Sequence, residues 1–224
     1  MWADHRRPFR DRSEAGQVLA GHLAAYTNRS DTLVLALPRG GVPVAYEVAA
    51  ALRAPLDVFL VRKLGVPGHE ELAMGAIASG GVRVVNEDIV RQLGLSERHI
   101  ERVAASEQRE IERRERAYRG DRSPLAIRDH TVILIDDGLA TGATMRAAAE
   151  AIRTQKPRRL IVAVPVAATV TCDEFRGQVD EVVCAVTPEP FYAVGMWYQD
   201  FSQTTDDEVR ALLTRSRAQD EASV

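Results

Sequence analysis

Two adjacent carboxylates, Asp136 and Asp137, are followed at once by Gly138, Ala140, Thr141, Gly142, Ala143 and Thr144. Small residues let main-chain N–H groups come close to an anion, and threonine hydroxyls add further donors. A helix that starts here would present its positive N-terminal end to the same anion. The paired carboxylates accept hydrogen bonds from sugar hydroxyls and can hold Mg²⁺ through water. The pattern therefore suits a phosphorylated sugar, with the phosphate in the loop and the hydroxyls on the acids. A P-loop would need a lysine after Gly142, and a dinucleotide site would need G-x-G-x-x-G; neither is present. The plainer alternative is a polar turn whose carboxylates only cap a helix.

The elements around this stretch must bring it to a sheet edge. Residues 131–135 are apolar after Thr131, as in a strand buried on both faces, and the loop leads to a helix over 144–153. Other apolar runs, 32–37, 56–63, 159–166 and 179–186, read as further buried strands. Periodic segments lie between them: a lead-in helix over 12–26, and a helix over 45–52 with Pro43 in its first turn. A loop over 65–72 precedes a hairpin of 76–78 with 82–85, turning at Ser79-Gly80-Gly81. Thr171 with Glu174, and Thr205 with Glu208, have the spacing of capping boxes. Strands alternating with helices predict an α/β fold: a doubly wound, mostly parallel sheet flanked by helices. It is expected as one domain over 1–224, with a core over 32–186 and a hood and tail over 187–224.

Residues 96–119 pair Glu110 with Arg114, Glu112 with Arg116 and Glu115 with Arg119 at helical i, i+4 spacing. Matched charges and a thin apolar stripe favour a long solvated helix or dimer contact over a nucleic-acid helix. The net charge of -3 gives no reason to expect a nucleic-acid partner. No apolar run approaches the roughly 20 residues needed to cross a bilayer. The N-terminal stretch has no signal-peptide pattern, so a cytoplasmic location is expected. Cys172 and Cys184 lack metal-ligand or C-x-x-C spacing and read as buried spectator thiols.

Residues 132–144 resemble the binding motif for phosphoribosyl pyrophosphate (PRPP) in type I phosphoribosyltransferases: an apolar strand, two acids, and a small-residue loop with Thr-Gly-x-Thr. The resemblance implies that fold, with a small variable hood. It implies that Asp136 and Asp137 contact the ribose hydroxyls, with Mg²⁺ held indirectly through water or those hydroxyls. Residues 140–144 would cradle the 5′-phosphate.

By the same resemblance, Arg39 and Gly40 occupy the pyrophosphate loop, and Arg62-Lys63 the second basic position. Arg39, Lys63 and Asp137 would then serve catalysis. The loop over 65–72, with His69-Glu70-Glu71, matches the family's mobile flap, where that cluster is either a source of a base or Mg²⁺ contacts or a solvated loop. The implied reaction transfers ribose 5-phosphate to a nucleobase or related nitrogen acceptor and releases pyrophosphate. The alternative is a PRPP-sensing regulator without turnover. The partners implied are small molecules, and a homodimer.

Ala140 stands where hypoxanthine and guanine enzymes carry a proton-accepting aspartate, which argues against a 6-oxopurine acceptor. Phe191, Tyr192, Trp197 and Tyr198 in the hood are the candidate acceptor platform, since aromatic faces stack on planar bases. Packing of a terminal subdomain explains the same residues equally well.

Overall fold

The computed structural model describes residues 8–66 and 68–221, without the side chains of residues 70 and 71. In chain order, α1 (Arg12–His22) precedes β1 (Thr32–Ala36), α2 (Gly41–Leu52) and β2 (Leu56–Val58). Next come β3 (Val61–Val66), β4 (His69–Ala78), β5 (Arg83–Val85), α3 (Glu87–Leu93) and α4 (Glu97–Arg119). The chain then forms β6 (Thr131–Ile135), α5 (Ala143–Thr154), β7 (Arg159–Val166), α6 (Thr169–Phe175), β8 (Glu181–Val186) and α7 (Asp206–Glu221).

Five parallel strands form the main sheet in the order β2-β1-β6-β7-β8. Strand alternation sends Val34, Ala36, Ile133 and Ile135 into a core with α1, α2, α4 and α7. Leu33, Leu35, Val132 and Leu134 point the other way, into a core with α5 and α6. Burial on both faces explains why these strands are continuous apolar runs.

The chain winds outward from β1 to β2 in one direction and from β6 to β8 in the other. Their shared boundary is a topological switch point, and the crevice at its C-terminal edge is where such sheets take ligands. Residues 37–41 leave β1 at that crevice, and Asp136 and Asp137 leave β6 beside them.

The segment 56–63, expected as one strand, divides. β2 joins the main sheet, whereas β3 begins an antiparallel sheet with β4 and β5. Phe59 and Leu60 are buried at the break, so the apolar run continues where the strand does not. The expected loop over 65–72 is largely the end of a β3–β4 hairpin, with register shifts around Gly65.

The long charged helix is present as α4, fastened at its C-terminal end. There the Arg119 Nε donates to both Asp57 oxygens, at 2.8 and 2.9 Å, and its Nη2 donates to the Val58 carbonyl. The two cysteines are not spectator thiols. Packing of α6 on β8 brings their Cα atoms to 6.7 Å, and they form a disulfide. Among the described residues, no helix is long and apolar enough to cross a membrane.

Candidate functional site

The strand end and the β1 loop meet through their backbones. The Leu37 N–H donates to the Ile135 carbonyl at 2.9 Å, and the Gly41 N–H to the Leu37 carbonyl at 3.1 Å. The Pro38–Arg39 peptide is cis. A Cβ on Gly40 would lie 2.1 Å from Asp137 Oδ2, and one on Gly41 would lie 2.8 Å from the Ile135 carbonyl. Both positions therefore exclude a side chain, because the start of α2 presses directly on the acid pair.

The Asp137 N–H donates to Asp136 Oδ1 at 2.9 Å. Arg12, the first residue of α1, donates from Nε to Asp137 Oδ2 at 2.9 Å. The Tyr198 hydroxyl donates to the Asp137 carbonyl at 2.5 Å. Burial, reinforced by the neighbouring charge of Asp137, pushes the Asp136 carboxyl well above the ordinary carboxylate range. Burial also raises Asp137, against the opposing pull of Arg12.

The loop after the acids is held from below. The Leu139 N–H donates to the Val166 carbonyl, and the Ala168 N–H donates back to the Leu139 carbonyl. The Thr171 hydroxyl donates to the Ala140 carbonyl at 2.6 Å. Thr171 therefore does not cap α6; it lies inside that helix and its hydroxyl is spent on the loop. Gly142 has φ +72 and sits against Phe175, so it meets both the conformational and the steric demand for glycine. Arg146 folds back from α5, pairing with Glu174 at 3.0 Å and donating to the Thr141 carbonyl.

Above this support the loop is open. Ala140, Thr141, Ala143 and Thr144 are exposed. Their N–H groups and that of Gly142 donate to no described residue, and the Thr141 and Thr144 hydroxyls have no described partner. The result is a concave set of unpaired donors at the N-terminus of a twelve-residue helix, beside two acids.

The basic residues are more dispersed. Arg39 is half-exposed and lies 3.8 Å from Asp206 at the start of α7. Strand alternation puts Arg62 and Lys63 on opposite faces of β3. Arg62 turns to α4 and pairs with Glu107 at 2.6 Å. Lys63 lines a cavity of about 390 Å³ with Thr144, Ala143, Asn86 and Glu150. Lys63 thus shares a cavity with Ala143 and Thr144 of the open loop, while Arg62 is paired with α4. His69 is exposed on β4; the Glu70 and Glu71 side chains lie outside the described residues.

The hood aromatics serve different ends. Tyr198 is buried against Phe9 and Phe201, with ring centroids 5.7 and 5.0 Å away. Phe191 and Trp197 pack on the same small core. Tyr192 alone of the four is exposed. The sequence reading missed Arg12, Arg146 and the loop-bracing roles of Thr171 and Tyr198. An arginine opening a helix carries no signal of a partner on a distant strand.

A family model described as "Phosphoribosyl transferase domain" matches residues 13–193. The chain belongs to the phosphoribosyl transferase domain family. It is 46% identical over 208 residues to the Mycobacterium tuberculosis protein named "Putative phosphoribosyl transferase Rv0571c", covering 93% of this chain. The match spans 47% of that relative, so the chain spans about half the length of the curated relatives it matches. Among solved structures it is similar to TT1426 from Thermus thermophilus, with 42% identity and a TM-score of 0.81. That alignment covers 93% of this chain and 98% of TT1426. Within this phosphoribosyl transferase domain, the crevice between β1 and β6 contains the acid pair and the open loop.

Proposed function

We propose that this domain transfers ribose 5-phosphate from PRPP to a nitrogen acceptor, a nucleobase or a related heterocycle, with release of pyrophosphate. One observation carries the reading: five unpaired N–H groups, over 140–144, open beside two carboxylates at the switch point. The loop donors receive the 5′-phosphate, and the carboxylates of Asp136 and Asp137 accept from the ribose hydroxyls.

In this reading the acceptor nitrogen's lone pair forms a bond to the anomeric carbon. The bond from that carbon to the pyrophosphate oxygen breaks, and its electrons leave with pyrophosphate. The acceptor's N–H proton passes to a base. Arg39 and Lys63, both on segments that border the crevice, offset the charge gathering on the leaving group.

The residues present also fit Mg²⁺. Two adjacent acids are met by one arginine, and a cation would relieve the repulsion from Asp137 that helps raise the Asp136 carboxyl. Among the described residues no group of three His, Cys, Asp or Glu forms a ready cage, so substrate oxygens and water would have to complete the coordination of the ion. When bound, Mg²⁺ supplies charge neutralisation of the departing pyrophosphate.

The test is pyrophosphate release from PRPP with Mg²⁺ across a panel of bases. Release that depends on the base supports transfer, and base-independent release indicates hydrolysis. PRPP binding without release favours a sensor, the reading supported by the engagement of Arg62 with Glu107 and Arg39 with Asp206.

A further inference from the structure

The first described residues and the segment over 197–200 close together beside the acid pair. The Phe9 N–H donates to the Trp197 carbonyl at 2.8 Å, and the Gln199 N–H donates to the Phe9 carbonyl at 2.7 Å. The Asp200 N–H donates to the Arg10 carbonyl at 2.9 Å. Asp11 then caps α1, its carboxylate accepting from the Glu14 N–H. This clasp fixes the start of α1, and Arg12 projects from there to Asp137.

Arg12 is held on three sides. Its Nε meets Asp137 Oδ2, its Nη1 donates to the Ser202 carbonyl at 2.7 Å, and its guanidinium lies 4.1 Å from the Phe201 ring centroid. The Tyr198 ring lies 5.9 Å away on the same clasp. The Arg12 side chain is 11% exposed and that of Asp137 15%. A guanidinium so enclosed is a fixed part of the site rather than a plug that the substrate pushes aside. With Oδ2 engaged, Asp137 Oδ1 has no partner from another described residue.

The geometry points to Arg12 as a positioning residue: it holds Asp137 by one oxygen so that the other meets a ribose hydroxyl. The inference rests on the PRPP reading above. It adds a part from outside the matched region, since the family model covers 13–193 while Arg12, Tyr198, Phe201 and Ser202 all lie beyond it. Lysine would keep the charge but lose the planar fork and the stacking on Phe201. Glutamine would lose the charge as well.

The role is tested by calorimetric titration of wild type, Arg12→Lys and Arg12→Gln with PRPP, and separately with inorganic pyrophosphate, Mg²⁺ present in both. Because Arg12 acts through Asp137 on the sugar, PRPP affinity should fall about tenfold or more in Arg12→Gln. Arg12→Lys should recover part of that loss, and pyrophosphate affinity should stay within about twofold. Should Arg12→Gln not fold, Arg12→Lys carries the comparison, still selective for PRPP. Unchanged PRPP affinity would overturn the inference. So would equal losses for both ligands, because a purely structural role would weaken both. Failure of the wild type to bind PRPP would instead count against the underlying functional reading.

Discussion

The acid and basic halves of the crevice are built differently. Asp136 and Asp137 emerge from a strand buried on both faces, with Gly40, Arg12 and Tyr198 closed against Asp137. Arg39, Arg62 and Lys63 stand on a loop and a hairpin, are half-exposed or exposed, and face in different directions. The ion pairs repeat the contrast. Arg12–Asp137 is 2.9 Å long with side chains 11% and 15% exposed; Arg39–Asp206 is 3.8 Å long with 35% and 54%. On the proposed reading, a site divided in this way would hold the sugar in a preset frame and leave the charges for the leaving group to assemble around the substrate. Preset donors and acceptors cost little reorganisation when the ligand arrives.

The largest expected effect tests the scaffold behind the basic half. Arg119 and Asp57 are each 5% exposed and tie α4 to β2, just before the hairpin that carries Lys63. Arg119→Met would leave a buried carboxylate unpaired and should cost about 3–5 kcal/mol in chemical denaturation.

Asp136→Asn sharpens the acid half. The raised carboxyl in the folded state takes up a proton more readily than in the unfolded chain. Ionising it therefore costs stability as pH climbs from the ordinary value of 3.8 through the raised one. The variant should melt a few degrees higher near pH 8, at roughly 2–4 °C per kcal/mol for a domain of this size. That advantage should shrink as pH falls toward 4 in a calorimetric series. PRPP binding should weaken in the same protein, a gain in stability set against a loss of function.

Thr205→Ala removes a reciprocal cap on α7, in which Glu208 accepts from the Thr205 N–H and Thr205 Oγ1 accepts from the Glu208 N–H. It should cost about 1 kcal/mol by denaturant titration. The smallest effect is expected from Asp206→Asn, which discharges the exposed partner of Arg39. Stability should change by less than about 1 kcal/mol. Pyrophosphate affinity, read by calorimetry, should hold or rise slightly. A large loss there would mean that the basic half is as rigid as the acid half.

The sequence was most legible where one residue pattern admits one structure. Residues 131–135 are apolar after Thr131 and end in paired acids, and both β6 and the open loop follow from that. The capping box at Thr205 is present as expected, whereas that at Thr171 is not, because the Ala140 carbonyl lies within reach of its hydroxyl. The break between β2 and β3 was hidden because Phe59 and Leu60 are buried without belonging to either strand. Arg12 meets Asp137 across 125 positions, and the disulfide depends on how α6 lies on β8; neither follows from local pattern.

The central claim is that the acid pair and its loop bind PRPP, and its most direct measurement is a calorimetric titration of wild type and Asp137→Asn with PRPP and Mg²⁺. The account predicts saturable one-to-one binding to the wild type, weakened about a hundredfold in Asp137→Asn through loss of a charge-assisted hydrogen bond. Absent binding in the wild type, or equal affinity in the two proteins, would contradict it.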